Sequence, residues 1–151
     1  MNRDQAMGLT IFSILIGVGA CRFKCVVADT LIRTPAGPKR IDQLRVGDAV
    51  CTWSSTEGGL VTRTVTEVHR GLSDHVYDLQ LEDGHHVSLT GEHPVFCVEG
   101  GSWRRARELR AGDVLRVVDE AGVGREVAIR SILRMACDAR PVFNLSVDTE
   151  E

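Results

Sequence analysis

From Cys25 onward the apolar positions come in short runs with a period of two, each closed by turn residues. The clearest case is Val76-Tyr77-Asp78-Leu79-Gln80-Leu81, then Glu82-Asp83-Gly84, then His86-Val87-Ser88-Leu89. Asp-Gly between alternating runs predicts a hairpin, because glycine supplies the positive φ that the tight turn requires. Pro35-Ala36-Gly37-Pro38 predicts another turn, and polar loops are expected over 54–59 and 119–124. Two stretches, 41–44 and 106–109, fit single helical turns, and neither is long enough to make a stable helix alone. The pattern predicts an all-β fold.

An internal repeat sharpens that prediction. Leu44-Arg45-Val46-Gly47-Asp48-Ala49-Val50 recurs 65 residues later as Leu109-Arg110-Ala111-Gly112-Asp113-Val114-Leu115. Val76-Tyr77-Asp78-Leu79-Gln80-Leu81 recurs 66 residues later as Val142-Phe143-Asn144-Leu145-Ser146-Val147. Two motifs in the same order at nearly one offset predict two related β subdomains packed by a pseudo-twofold. Each would place Gly-Asp in the turn before a strand, where the carboxylate accepts local N–H bonds.

The N-terminus has a different pattern. Met1 to Met7 is polar and carries Arg3, and a largely apolar run then extends from Leu9 to Ala20. About 20 apolar residues are needed to span a bilayer, so the run is short for a transmembrane helix and has the length of a signal-peptide core. It ends in Val18-Gly19-Ala20-Cys21, which resembles the lipobox of bacterial lipoproteins and implies lipidation of Cys21. Residues 1–20 are thus expected to be a signal peptide or membrane anchor and 21–24 a spacer. Export to the cell envelope follows, with membrane association through residues 9–20 or the lipidated Cys21. An apolar strand within the fold is the alternative.

Composition removes several function classes. The net charge is −3 and both signs are spread along the chain, so there is no basic stripe for nucleic acid. Aromatic residues make up 5% of the chain, too few for a base-stacking platform. The cysteines stand at 21, 25, 51, 97 and 137, an odd number without a CxxC pair, which argues against a disulfide framework or structural zinc. Cys51, Cys97 and Cys137 read as small buried hydrophobes. Adjacent His85 and His86 would point to opposite strand faces, which argues against metal ligation, and His69 and His75 read as surface residues. No cofactor or metal is expected.

The chemistry centres on Cys25-Val26-Val27-Ala28-Asp29-Thr30 and on Leu89-Thr90-Gly91-Glu92-His93-Pro94-Val95. The first stretch resembles the opening block of the Hint superfamily, which includes inteins and the hedgehog autoprocessing domain. The second is similar to that superfamily's Thr-x-x-His block, and Val142 to Asp148 to the start of the intein penultimate block. The resemblance runs from Cys25 to the end of the chain. It implies a flat, all-β, pseudo-twofold horseshoe over 25–151, in agreement with the repeat. It also implies a single-turnover, self-cleaving cysteine domain in which Cys25, Thr90 and His93 are catalytic and Lys24–Cys25 is the scissile bond.

The Cys25 thiol would attack the Lys24 carbonyl, an N-to-S acyl shift that replaces the amide by a thioester. A thiol of pKa ~8.5 is a small fraction thiolate at neutral pH, yet intrinsically very nucleophilic. The departing amine needs a proton, which a histidine of pKa ~6.5 can deliver; His93 is the candidate. Thr90 would hydrogen-bond around the scissile peptide and help hold it. Water or a thiol would then resolve the thioester, and no partner is required for the shift itself.

The chain departs from the splicing pattern. It has Asn144 where the family commonly carries Asp, Glu151 where it carries His, and no terminal His-Asn, so its second half reads as truncated. Cleavage without full splicing is the expected activity. The alternatives are a degenerate Hint-fold module for binding or tethering at the cell envelope, and a thiol hydrolase acting on other chains through Cys25 and His93.

Overall fold

Both Gly-Asp repeats fold into the same turn, bond for bond. Gly47 and Gly112 adopt φ of 95° and 94°, the left-handed region where a Cβ would be strained. Asp48 Oδ2 accepts the Arg45 N–H at 2.9 Å, and Asp113 Oδ2 accepts the Arg110 N–H at 2.9 Å. Gly47 N–H donates to Val65 O and Gly112 N–H to Ile129 O, each at 2.9 Å. A one-turn 3-10 segment precedes each turn, Ile41–Gln43 and Ala106–Glu108, where the sequence predicts single helical turns.

The computed structural model describes residues 7–11, 14–17, 24–54 and 57–148, the first two stretches by their backbone alone. The strands are β1 Met7–Ile11, β2 Ile14–Gly17, β3 Val26–Val27, β4 Leu31–Ile32, β5 Lys39–Arg40 and β6 Ala49–Ser54. They continue with β7 Gly59–Leu81, β8 His86–Leu89, β9 Pro94–Cys97, β10 Ser102–Arg105, β11 Val114–Val118 and β12 Gly124–Val147. The protein is all-β, as the alternation predicts.

The duplication is visible in the pairing. β6 pairs with the start of β7, and β11 with the start of β12. The long strands β7 and β12 then run antiparallel to each other, with Ile129 opposite Leu81 at one end and Val147 opposite Val65 at the other. Each long strand therefore begins in one half and ends in the other. The expected hairpin at Glu82-Asp83-Gly84 joins β7 to β8, with Gly84 at φ 93°.

The core is aliphatic. Leu79, Leu81, Leu89, Leu115, Ile129 and Leu145 are each 1% exposed or less. At about 25 cal/mol per Å² of apolar surface removed from water, such side chains each contribute about 1.5–3 kcal/mol. Short β3 lies between the halves: Val26 is opposite Leu89 of β8 and Phe143 of β12, and Val27 is opposite Val142.

The N-terminal apolar run contributes β1 and β2, which pair with each other; β1 also runs beside β6, and β2 meets β9 and β11. Among the described residues, no helix is long and apolar enough to cross a membrane. Cys21 and residues 22 and 23 of the spacer lie outside the described residues.

Candidate functional site

Central placement of β3 puts Cys25 at the junction of the halves, immediately before the strand. Its side chain is 1% exposed and packs with Val27, Val76 and Val142. β8 brings the Thr90–His93 segment alongside. The Cys25 N–H donates to Thr90 Oγ1 at 3.0 Å, and the Thr90 N–H donates to Cys25 O at 2.9 Å. Thr90 thus grips the residue on both sides of its α-carbon, and one of the two groups it holds is the amide of the Lys24–Cys25 bond.

A tight turn follows, in which the His93 N–H donates to Thr90 O at 3.1 Å. The second half supports it from outside. Arg107 N–H donates to Gly91 O at 3.0 Å, and Ala106 N–H to His93 O at 2.9 Å. Glu92 meets the guanidinium groups of Arg105 and Arg107 at 3.4 and 3.1 Å; these pairs are half exposed and worth at most about 1 kcal/mol each.

Gly91 sets the fit of this turn. A Cβ built on it would stand 2.8 Å from Cε1 of Tyr77, closer than real Cβ atoms approach. Gly91→Ala is therefore expected to destabilise the protein by about 1–3 kcal/mol through overpacking. Tyr77→Leu, by removing the ring, should recover part of that loss. Equilibrium denaturation of both variants checks this, and an unchanged midpoint for Gly91→Ala refutes the contact.

His93 is fully buried. Its Nδ1–H donates to Pro94 O at 3.2 Å, which leaves the lone pair on Nε2, and Nε2 is buried without a hydrogen-bond partner. Burial pushes the imidazole down to about 4, and the positive charge of Lys24 acts in the same direction. At neutral pH the ring is neutral. The sequence predicts an ordinary histidine pKa for His93, and burial corrects that value downwards.

The structure therefore bonds Cys25 directly to Thr90 and holds His93 in the same turn as Thr90, within the electrostatic influence of Lys24. Asn144 is also buried, and its Oδ1 accepts the Leu145 N–H at 2.8 Å. Cys97 is a core thiol whose burial pushes it up to about 11, as suits a small structural hydrophobe. Cys51 and Cys137 are only partly buried, so the expectation of fully buried cysteines fails for them.

Two histidines read as surface residues are not simply solvated. The His69 ring shares a 2.7 Å hydrogen bond with Ser146 Oγ across the β7–β12 ladder. His75 lines a groove together with Thr90 and Gly91. The sequence carried no signal for either, since both placements depend on how β7 pairs beyond the hairpin.

Comparison with known proteins defines the class. The chain is 25% identical to the bacterial intein-like domain from Clostridium thermocellum, with a TM-score of 0.73 over 83% of this chain and 87% of that one. The TvoVMA intein superposes with a TM-score of 0.77 at 19% identity, covering 86% of this chain and 91% of its own. The Ssp DnaB mini-intein variant M86 gives 0.71 at 20% identity, covering 82% and 83%. In sequence, the chain is 30% identical over 92 residues to the DNA polymerase II large subunit of Pyrococcus horikoshii. That match takes in 58% of this chain, which spans 6% of the polymerase subunit's length. No protein-family model matches. The all-β, pseudo-twofold architecture is the Hint fold. The chain thus has the fold of inteins and of the intein-like domain, as the cysteine and Thr-x-x-His blocks imply.

Proposed function

We propose that this domain cuts its own chain between Lys24 and Cys25, beginning with an N-to-S acyl shift. The observation that carries this reading is the double hydrogen bond between Thr90 and Cys25, which holds the Lys24–Cys25 amide against the turn that carries a buried, neutral histidine.

The step follows from the tautomer. Nε2 of His93 has a lone pair and no partner, so it can take the proton of the Cys25 thiol. The sulfur bonds to the Lys24 carbonyl carbon, forming a tetrahedral centre. Burial makes the new imidazolium a strong acid, which promptly gives its proton to the Cys25 nitrogen as the carbon–nitrogen bond breaks. The products are a Lys24 thioester on Cys25 Sγ and a free Cys25 amine, with His93 neutral again. A buried unpaired lone pair is costly in a static core, and a proton in flight is a use for it. Thr90 Oγ1, accepting from the scissile N–H, holds that nitrogen in place throughout.

Purified full-length chain treated with dithiothreitol at pH 7.5 should yield two fragments whose intact masses place the cut before Cys25. A single intact mass after prolonged treatment rejects the activity while leaving the fold untouched, and favours the binding-module alternative.

A further inference from the structure

His75 lies outside the Cys25–Thr90–His93 set, yet it lines a groove of about 290 Å³ that the set also borders. Ser73, His75 and Tyr77 alternate along β7 and all three line it, with Thr90, Gly91 and Val142 opposite. Thr90 is the residue that grips Cys25, and Val142 packs against the Cys25 side chain. The groove therefore leads from solvent to the immediate neighbours of the nucleophile.

The imidazole at its rim is oriented. His75 Nδ1–H donates to Asp74 Oδ1 at 2.8 Å, and this bond holds the Asp74 carboxyl below the usual range. The ring also meets Tyr77 edge-on, at 6.2 Å between centroids. With Nδ1 committed to the carboxylate, the neutral ring carries its lone pair on Nε2, the arrangement of a carboxylate-oriented general base. His75 is about one-third exposed, in contrast to sealed His93, so it can meet a molecule arriving from solvent.

We propose that the groove admits the nucleophile that resolves the Cys25 thioester, a small thiol or water, and that the Asp74–His75 pair removes its proton. This rests on the acyl-shift reading above. In the step, His75 Nε2 takes the S–H proton and the sulfur bonds to the Lys24 carbonyl carbon. The bond from that carbon to Cys25 Sγ then breaks, and Cys25 Sγ takes the proton back from the imidazolium. A thiol yields a new thioester on residues 1–24 and a free thiol on Cys25; water yields the carboxylic acid.

The test separates a base from a merely structural histidine. Full-length wild type and His75→Gln are cleaved with dithiothreitol, an alkyl dithiol mostly protonated at pH 7, and with an aromatic thiol already largely ionised. The readout is the slope of cleavage rate against thiol concentration. Loss of a general base should lower the alkyl-thiol slope about tenfold or more. The aromatic-thiol slope should change by less than about twofold, since that nucleophile has no proton to lose. Asp74→Asn, at an exposed position where folding is not at issue, should reproduce the selective loss in weaker form. Equal losses with both thiols, or no loss with either, overturn the base assignment and leave the acyl shift standing. No cleavage of wild type by either thiol overturns the acyl shift, and the role of His75 with it.

Discussion

Cys25→Ala is expected to leave the chain folded and uncut. The substitution removes one sulfur from a site enclosed by Val27, Val76 and Val142, a small cavity that should cost about 1 kcal/mol. The backbone bonds to Thr90 do not involve the side chain and survive. The chemical loss is total by comparison. Without the thiol no thioester forms, and there is no other thiol in the Cys25 cluster to replace it. Thiol-induced cleavage should fall below detection by intact mass, with circular dichroism and melting close to wild type. Cleavage before residue 25 that persisted in Cys25→Ala would show that another nucleophile, or a contaminating protease, makes the cut.

The candidate site is legible in the sequence because its parts are local. Thr90 and His93 share one turn, Cys25 opens one strand, and each block is a few contiguous residues. The fold was legible through the Gly-Asp repeat, since both copies need the same left-handed glycine and the same carboxylate acceptor. What escaped depends on long-range pairing. β7 and β12 extend over 23 and 24 residues and pass from one half to the other. Along such a strand the buried face changes as its neighbours change, so polar positions such as Thr62, Arg63 and Thr64 interrupt the alternation that marks a strand. His75 sits beyond that change of surroundings. Its neighbours Thr90 and Gly91 are reached through the β7–β8 hairpin, and nothing in the adjacent Asp74 and Val76 announces them.

The candidate site draws on both halves at their junction. The first half supplies Thr90 and His93. The second supplies the backbone N–H groups of Ala106 and Arg107 that hold the turn, and Val142 that packs on Cys25. Cys25 enters between them, immediately before β3. A single half would leave the turn's carbonyls at Gly91 and His93 without those donors, and Cys25 without the packing of Val142.

His93→Gln should slow cleavage by about 100-fold or more while keeping the fold, because an amide of similar length fills the space but cannot carry a proton from thiol to amine. The same residue makes a second measurement possible. Its folded pKa of about 4 lies below the ordinary unfolded value, about 6.5. Between those values the unfolded chain binds a proton that the folded chain refuses, so stability rises with pH through the window. His93's share is fully present above about pH 6.5 and is lost progressively as pH falls towards 4, up to about 3 kcal/mol. Denaturant midpoints at pH 7.5 and 4.5 should thus diverge more for wild type than for His93→Gln, with the carboxylates common to both cancelling in the difference. A parallel pH response in the two proteins would mean that His93 titrates normally in the folded state. It could then donate a proton directly at neutral pH, and the thiol would need no base to start the shift.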